Sequence, residues 1–533
     1  MIPAVEIRRV EAVVERSGLV NELEDLLRPR DLSTGRAIGR PRDISVRTYL
    51  VGVLLAAGHG KNLHLRRVHR ILTSDISRTQ QDRLGVRFRR RGDPLGAFRR
   101  TLTYFHFSRI TCALATKVDR DGDEYLQSIC DRLIDASVAA GPAATGDWAI
   151  DGTGVDTWSN GLKSEKRRSD QDARWGHRTP TPQKSMSEKF YGYDFYGFTA
   201  LPSAGSDGHD YPPLIRRIVV RPAASDDAEA SLTGIDNLIA SGVEVTHVIV
   251  DRGISYKSAQ RWANPLRERG ITQTIDMHAA DHGRVDHDGI AMIDGWPHCP
   301  ATPETLVEIA RPEKLSVPKD DQDRTSAAAV AIDEYRADVA KRGTYAFTRV
   351  SGWRTKARSG ERVERYQCPA EAGRVRCPLK PETMHYPDDL PAILAPPPAA
   401  TAPTCCRQRT VELGEDAAGK LRQRYELGTD PWIRDFNRRT FVEGGFGVLR
   451  NPAVGGLARG LFCIIGRTKV TLWLAALVAA VNIDAITRWA VRTGVVSDDD
   501  ALAAPVGPDH GFEELDDYSR LSGTDPPTAP TPN

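Results

Sequence analysis

Two short apolar segments constrain this chain most, because each is followed directly by an aspartate. Residues 148–150 precede Asp151, and residues 243–250 precede Asp251. Apolar, β-branched runs bounded by glycine-containing turns are typical of buried strands. Sites in α/β sheets assemble at the carboxyl ends of such strands. We therefore expect a sheet that brings both carboxylates to one edge, although a single aspartate after a strand is more often a turn or helix-capping residue.

A third carboxylate lies in the stretch WIRDFNRRTFVEGGFGVLRN near the C-terminal end. At roughly 100° per residue, a helix here would place four side chains within about 60° of one another. They are Phe436, Arg439, Glu443 and Arg450. A face that mixes a ring, a carboxylate and two guanidinium groups is unsuited to a core. With the two aspartates, the glutamate gives the all-oxygen ligand set that Mg²⁺ or Mn²⁺ prefers, although a lone glutamate is more often part of a solvated helix face.

These ordered motifs resemble the DDE transposases of bacterial insertion sequences. The branch in question has a third-carboxylate helix with a Tyr, Arg, Glu, Lys signature, and its spacing holds at the four positions above. Phe replaces Tyr, and Arg replaces Lys. The segment FYGYDF at 190–195 resembles the family's Phe-Gly-Tyr-Lys strand, and VVRPAASDDAE at 219–229 resembles its exit from a strand into a helix. The resemblance covers residues 147–275 and 428–489.

The resemblance implies an α/β fold in which an RNase H-like mixed sheet forms the catalytic core. The expected elements are strands at 147–151, 191–199 and 214–220, a helix at 226–240, a strand at 245–250, a helix at 255–269 and a strand at 271–275. Glu443 follows Asp251 by 192 residues, so an insertion must interrupt the core. The expected domains are a helical, basic domain at 1–140, the first part of the core at 141–278, an insertion domain at 279–428, the C-terminal helices of the core at 429–495, and a disordered, acidic, Pro-rich tail at 496–533.

The resemblance also implies an activity, namely metal-dependent DNA strand cleavage at insertion-sequence ends and strand transfer into target DNA. Two Mg²⁺ or Mn²⁺ ions about 3.5 to 4 Å apart would activate the nucleophile and stabilise the leaving oxygen. In this assignment Asp151 bridges both ions, Asp251 holds one, and Glu443 holds the other. Hydrolysis and strand transfer would then use the same active site in turn.

The other members of the helix pattern are expected to hold DNA. Arg439 and Arg450 would bind the phosphate backbone near the cut, and Phe436 would stack on a base. Asp156 and Asp194 are rival carboxylates. They rank below the first aspartate because Asp156 lies past a glycine-containing turn and Asp194 takes a Lys position of the resembled strand.

Two other functions remain open on the sequence alone. One is a sequence-specific DNA-binding protein whose catalytic core has decayed, and the other is a metal-dependent phosphohydrolase that acts on small substrates. The intact set of three carboxylates argues against the first. The basic N-terminal segment argues against the second.

The N-terminal segment is basic although the whole chain is nearly neutral. Residues 1–110 carry 22 Lys and Arg against 11 Asp and Glu, whereas the chain has a formal net charge of +2. Such a segment is expected to bind double-stranded DNA, here the terminal inverted repeats. Target DNA and a second copy of the chain are the further partners expected. The alternative is a basic face that is merely solvated. Amphipathic stretches at 4–27, 45–57 and 62–72 predict helices, with Asp43 capping the second. A helix-turn-helix and an ordinary helical bundle both fit this pattern.

No segment predicts a membrane or secretory destination. The first residues, MIPAVEIRRVEAVVERSG, carry charges throughout, unlike a signal peptide. The longest apolar run, at 470–481, has about 12 residues where a bilayer span needs roughly 20, so we expect a buried helix. Eight cysteines in a long chain do not indicate a disulfide framework. We therefore expect a reduced, cytoplasmic, nucleoid-associated protein without a membrane partner.

The expected insertion contains a cysteine cluster. Its members are Cys368 and Cys377, each followed by Pro, and the adjacent Cys405 and Cys406. With His385 or His298 as a further ligand, they suggest a structural Zn²⁺ site, and buried reduced thiols are the alternative. Trp296 and Trp353 in the same segment are candidates for a wedge that stacks on bases, although a core position is the more frequent role of tryptophan.

Overall fold

The computed structural model describes residues 1–29, 33, 42–60, 62–89, 98–162, 164–178, 188–204, 211–312, 315, 326–451, 455–457 and 460–495. It contains two compact units, and each is described by itself. The first unit comprises Met1–Thr145, Asp151–Asp226 and Phe441–Asn533, and the second comprises Gly146–Ile150 and Asp227–Thr440. The tail expected to be disordered, at 496–533, lies outside the described residues.

The α-helices and strands of the described residues are numbered in chain order. The helices are α1 (Ala4–Arg16), α2 (Leu19–Leu27), α3 (Val46–Gly58), α4 (Leu65–Arg70), α5 (Arg78–Arg83), α6 (Tyr104–Asp121), α7 (Asp123–Val138), α8 (Asp227–Ala240), α9 (Arg252–Ser255), α10 (Ala263–Glu268), α11 (Ala327–Tyr345), α12 (Thr404–Arg407), α13 (Asp430–Asn437), α14 (Thr440–Arg450) and α15 (Arg467–Arg492). The strands are β1 (Arg87–Phe88), β2 (Arg100–Thr101), β3 (Asp147–Asp156), β4 (Arg174–Arg178), β5 (Glu188–Ala200), β6 (Ile215–Pro222), β7 (His247–Val250), β8 (Thr272–Ile275), β9 (Arg284–His287), β10 (Ile290–Ile293), β11 (Trp296–His298), β12 (Thr348–Thr355), β13 (Arg362–Gln367) and β14 (Thr410–Gly414).

The first unit opens with helices whose ends follow local capping chemistry. Gly18 divides the stretch expected at 4–27 into α1 and α2, because it takes a φ of 64°, a left-handed conformation that glycine adopts without strain. Ser45, rather than Asp43, caps α3, since its hydroxyl accepts a hydrogen bond from the Thr48 N–H. The assignment of Asp43 as the cap was therefore wrong by two residues. α3 ends at Gly58, where the sequence predicts its end.

α15 is the central helix of the first unit. It packs against α3, α6, α7 and β6. Its 26 residues are long and apolar enough to cross a bilayer, by length and composition only, so the shorter run read from the sequence underestimated it. However, 83% of the apolar 18-residue stretch within this helix is buried inside the structure, as in the core helix of a folded protein. The expectation of a buried helix here is confirmed.

A buried asparagine joins α15 to the edge of β6. The Asn482 side chain is fully buried and donates from Nδ2 to the Ile215 carbonyl at 2.8 Å. Its Oδ1 accepts from the Ile215 N–H at 3.1 Å, and Nδ2 also donates to the Ser137 hydroxyl at 3.1 Å. One side chain thus satisfies both backbone groups of a strand residue, as a neighbouring strand would. A buried amide that makes all these bonds fixes the position of α15 along β6.

α7 binds β6 through a second buried polar contact. The guanidinium of Arg217 is fully buried and lies 3.3 Å from a carboxylate oxygen of Asp131 and 3.3 Å from one of Asp135. Gln127 donates to the Ile218 carbonyl at 2.8 Å. A charge buried this deeply is tolerated only because its partners are also present. The strand is therefore held by α7 as well as by α15.

The central sheet runs through both units because β3 is shared between them. Residues 147–150 of β3 belong to the second unit and residues 151–156 to the first. The strand order is β4-β5-β3-β7-β8, and β6 also pairs with β5. The pairs β4–β5 and β5–β6 are antiparallel, whereas β3–β7 and β7–β8 are parallel. The fold is thus α/β with a mixed sheet, as the sequence predicts at that level.

Most of the expected core elements are present, with two differences. β4 was not predicted, because its sequence RWGHR lacks an apolar alternation. The single helix expected at 255–269 is instead the two short helices α9 and α10. Pro265 explains the break, since it has no N–H to donate within a continuous helix but is accommodated in the first turn of α10.

The second unit contains two small antiparallel sheets between β8 and α13. One has the order β11-β10-β9, and the other has the order β12-β13-β14. Asp-Gly pairs at 288–289 and 294–295 form the two tight turns of the first sheet, with φ angles between 48° and 76°. Positive φ at both central residues is what a type I′ hairpin turn requires. The stretch that reads as rich in His and Asp is therefore a pair of hairpin turns.

We predict that Asn482→Leu destabilises the first unit by about 1–3 kcal/mol, because it leaves both backbone groups of Ile215 buried without their partner. Urea unfolding of the whole chain measures the change. Arg488→Leu is the matched control on the same helix, since this side chain is 61% exposed and should change stability by less than about 0.5 kcal/mol. Equal effects of the two substitutions would contradict the role given to Asn482.

Candidate functional site

The two aspartates singled out by the sequence lie just past the parallel ladder of two neighbouring strands. Asp251 follows β7, but Asp151 lies within β3, so the expectation that this strand ends at residue 151 was wrong. β3 and β7 pair in parallel, and the ladder ends with Ile150 opposite Val250. Asp151 and Asp251 are the next residues along the chain. The side chain of Asp251 is about half exposed and lies 3.8 Å from the guanidinium of Arg439. In the second unit, an acidic group at a strand end is thus accompanied by a cation from the predicted quartet.

The four residues of the quartet do not share one continuous helix. Phe436 belongs to α13, Glu443 and Arg450 belong to α14, and Arg439 lies in the turn between the two helices. The N–H groups of Arg438 and Arg439 bond to carbonyls three residues back, at 3.1 and 3.0 Å, and so close α13 with a tight turn. The expectation of a common helix face across all four residues was therefore wrong.

A buried carboxylate lies near the end of α13. Asp435 is almost fully buried and accepts hydrogen bonds from His247 of β7 at 2.9 Å and from Thr274 of β8 at 2.5 Å. Arg438 donates to Asp435 and also reaches Asp147 at 2.9 Å. These contacts fix α13 on the strands that precede Asp251.

The protonation of the network follows from its burial. Burial lowers the pKa of His247, so the imidazole is neutral near pH 7, although the neighbouring Asp435 opposes this shift. Burial alone would raise the pKa of Asp435, but its hydrogen bond with His247 and the charge of Arg438 outweigh burial and lower that pKa. Asp435 is therefore a carboxylate held by three donors. It is structural in this arrangement, because it is buried.

Phe436 packs against neighbours within the second unit. Its ring stacks on Trp432 with centroids 4.9 Å apart and an angle of 9° between the planes. The guanidinium carbon of Arg439 lies 5.7 Å from the centroid of the same ring. The aromatic member of the quartet is thus already stacked on one side, and it holds Arg439 near Asp251. Its assignment as a base-stacking residue stays a prediction.

α14 presents Glu443 from the first unit. The carboxylate is in the first turn of the helix and is exposed. Phe446 anchors the helix on β5, with its ring 5.5 Å from that of Phe195. Gly197 lies directly beneath this ring, where a Cβ would come within 2.7 Å of it. Close packing, rather than helix propensity, therefore supports a helix that contains three glycines.

The second group of site residues in the first unit lies on β3, β4 and α14. Arg450 donates a hydrogen bond to the hydroxyl of Thr153 on β3. Partial burial and the nearby Arg178 lower the pKa of Arg450, whereas Asp151 raises it. Asp151 and the last arginine of the quartet are therefore electrostatic neighbours. A carboxylate beside a guanidinium group is suited to bind a group that carries both negative charge and a metal.

The rival carboxylates have other neighbours. Asp156 lies 2.6 Å from Arg178, which also stacks over the ring of Phe190 at 4.5 Å. Asp194 is opposite Arg221 in the β5–β6 ladder. Asp156 is therefore engaged in an ion pair between strands.

The cysteines of the expected insertion lie together. Cys368, Cys377, Cys405 and Cys406 line one small cavity in the second unit, and Cys299 lines it as well. Sequence reasoning missed Cys299, although its Cys-Pro dipeptide repeats that of Cys368 and Cys377. All five thiols are buried and free.

The two histidines named as further zinc ligands have other surroundings. His298 is fully buried and contacts Glu426 at 3.1 Å and the Trp296 carbonyl at 2.9 Å. His385 is exposed in a short 3₁₀-helix. Neither is among the described residues that line the cysteine cavity. The ligand set that remains is thus made of sulfur alone.

The two tryptophans named as candidate wedges pack within the second unit. Trp296 donates to the Phe347 carbonyl at 3.0 Å and makes an edge contact with Tyr366 at 5.9 Å. Trp353 lies between the guanidinium groups of Arg267 and Arg422, at 4.6 and 4.9 Å from its ring. Both rings therefore serve packing in this structure, which is the alternative that the sequence left open.

Within the described part of the chain, no group of three or more His, Cys, Asp or Glu side chains is arranged so that it could hold a metal ion as it stands. Comparison with protein-family models finds no match to this chain, and comparison with curated proteins finds none. Conclusions about function therefore depend on the residues and their positions.

We predict that Asp435→Ala destabilises the second unit by about 3–5 kcal/mol, because it breaks a buried ion pair with Arg438 and leaves the donors of His247 and Thr274 without their acceptor. Asp430→Ala, in the exposed first turn of the same helix, is the control and should cost only about 0.3–1 kcal/mol. Urea unfolding at pH 7 compares the two variants. A cost for Asp435→Ala no larger than that of the control would refute the anchoring role.

The same network predicts a pH dependence. Because the pKa of Asp435 is lowered on folding, its stabilisation is present above the ordinary aspartate pKa of about 4 and is lost as the pH falls toward the lowered value. The lowered pKa of His247 acts in the same direction, since the unfolded chain binds that proton more readily. Acidification below about pH 4 should therefore destabilise the wild-type chain more than the Asp435→Asn variant, as followed by urea unfolding at several pH values.

Proposed function

We propose that this chain is a DDE transposase, which cleaves DNA at the ends of an insertion sequence and transfers the cut strand into target DNA. One observation carries the proposal. The parallel ladder that ends with Ile150 opposite Val250 continues on both strands directly into an aspartate. Apart from the additional strand β4, the elements from β3 to β8 follow the order expected of an RNase H-like core. That order supports the proposal.

Asp151, Asp251 and Glu443 are the residues that would hold divalent cations in this proposal. Their donor atoms fit in kind, because carboxylate oxygens are the ligands that Mg²⁺ and Mn²⁺ prefer. When bound, such ions would supply the charge that activates an attacking hydroxyl and stabilises the leaving oxygen. Asp251 directly follows β7, and Asp151 lies within β3 just past the ladder that the two strands form, and these positions support the assignment. Glu443 is exposed.

The arginines near these carboxylates give the chain its own means of binding a phosphodiester. Arg439 lies beside Asp251, and Arg450 is the electrostatic neighbour of Asp151. A guanidinium group that balances a carboxylate in the free protein can instead donate two parallel hydrogen bonds to phosphate oxygens. Each arginine side chain would then orient the DNA strand beside a carboxylate that is bound to metal. This pairing favours a nucleic-acid substrate.

We predict that Asp151→Asn abolishes Mg²⁺-dependent nicking while DNA binding survives, since the change removes a metal ligand without removing a cation. The substrate is duplex DNA from both ends of the genomic segment that carries the gene. Nicking should fall by more than about 100-fold, beyond the 10–100-fold that the loss of a supporting metal contact costs. The matched control, Asp156→Asn on the same strand, should retain nicking.

The outcomes of this experiment separate the alternatives. A wild-type chain that binds the ends but never nicks them in Mg²⁺ or Mn²⁺ would indicate a decayed catalytic core. Hydrolysis of small phosphate esters without nicking would indicate a phosphohydrolase. Loss of nicking in Asp156→Asn with retention in Asp151→Asn would move the metal site to the rival carboxylate.

We further predict that the whole chain binds DNA through its basic N-terminal residues, with an affinity that falls as salt rises. Each phosphate that the protein neutralises contributes about −0.9 to the slope of log affinity against log salt concentration. Replacing the exposed Arg100 of β2 with Gln should make the slope less steep by about 1, measured by fluorescence anisotropy. Arg488→Gln on α15 is the control, and an equal change in both variants would show that the contacts lie elsewhere.

A further inference from the structure

The cysteine cavity is built from three copies of one local motif. Cys299, Cys368 and Cys377 are each followed by proline. The Cys299 carbonyl accepts from the Thr302 N–H at 2.9 Å, and the Cys377 carbonyl accepts from the Lys380 N–H at 2.8 Å, which closes a turn of the same form at each. Proline favours such turns because its φ is already fixed near the required value. The Cys368 carbonyl accepts instead from the Ala372 N–H at 3.0 Å, in a wider turn. Three Cys-Pro turns therefore bring their cysteines to one cavity.

Backbone amides point at the three sulfurs. The Cys299 sulfur accepts from the N–H of Ala301, two residues on. The Cys368 sulfur accepts from the amides two and three residues on, and so does the Cys377 sulfur. Burial raises the pKa of all three thiols, and the amide donors oppose that shift in part and fix the orientation of each sulfur, which is a form of support that the ligands of a metal site require. A cysteine that merely fills a hydrophobic core needs no such donors.

The fourth sulfur comes from α12. Cys406 lines the cavity together with Cys299, Cys368 and Cys377. Its neighbour Cys405 is more deeply buried and lies 4.0 Å away, sulfur to sulfur. Adjacent cysteines rarely both bind one ion, so the less deeply buried Cys406 is taken as the ligand and Cys405 as its hydrogen-bonding neighbour.

We propose that Cys299, Cys368, Cys377 and Cys406 bind one Zn²⁺ ion as a structural site of four thiolates. The site would join the end of β11, the end of β13, the turn after it and α12, which are far apart in sequence. Tetrahedral coordination by four cysteines, with sulfur about 2.3 Å from the metal, is the common form of a structural zinc site. The thiols must lose their protons and draw closer to reach that distance, so binding of the metal completes the fold of this region. The site is independent of the proposed nuclease chemistry.

The experiment measures zinc in the whole purified chain after exhaustive dialysis. We expect about one zinc per chain in the wild type, and a decrease of about tenfold or more in Cys299→Ser and in Cys406→Ser. Cys405→Ser should keep its zinc, and so should Cys112→Ser, which changes an exposed cysteine in α6 of the first unit. Retention of zinc in Cys299→Ser, or a wild-type chain without stoichiometric zinc, would overturn the proposal and leave the thiols as packing residues.

A second measurement does not depend on whether the variants fold. Replacing the metal of the wild-type chain with Co²⁺ should give the visible absorption of tetrahedral cobalt and the near-ultraviolet charge-transfer bands of four thiolates. A spectrum of octahedral cobalt, or one without thiolate bands, would overturn the proposal. Asp151→Asn should bind zinc as the wild type does, so failure of the zinc proposal and failure of the proposed function are distinguishable.

Discussion

The parallel pairing of the first half of β3 with β7 is the constraint on which the rest of the structure depends. It places His247 beside Asp147 in the ladder, and both residues bind the network of α13. Asp435 and Arg438 complete that network, so the strands and the helix cannot shift separately. Arg439 follows at once and therefore lies near Asp251. The geometry around one strand end is thus a direct result of buried charge pairing rather than of helix propensity.

Local signals predicted the elements of the core, whereas tertiary contacts decided how they end. The apolar runs before Asp151 and Asp251 identified β3 and β7, because a parallel strand that is buried on both faces is composed mainly of apolar residues. The break between α13 and α14 was out of reach, since Arg438 at this point contacts Asp435 and the distant Asp147. The spacing of the four residues in the predicted helix pattern was correct, but they do not lie on one continuous helix. The periodicity of a sequence contains no information about which side chains make contacts with residues distant in the chain.

Other differences were within reach of local reasoning. Two Asp-Gly pairs are strong signals for the hairpin turns that the structure contains. The third Cys-Pro dipeptide, at Cys299, was overlooked, because His298 beside it was considered as a ligand. In the structure His298 contacts Glu426, and Cys299 lines the cavity. Repetition of a short motif was a better guide than the presence of a residue with metal-binding chemistry.

The division of β3 between two units has a consequence for the dynamics of the chain. Residues 148–150 pair with β7 within the second unit, whereas residues 152–156 belong to the first. Each half should exchange with solvent at the rate at which its own unit opens, since exchange of core amides follows cooperative unfolding of the region that contains them. A single strand would then show two protection levels that change at Asp151. The residue that the chemistry singles out would also mark the limit between two regions of cooperative stability.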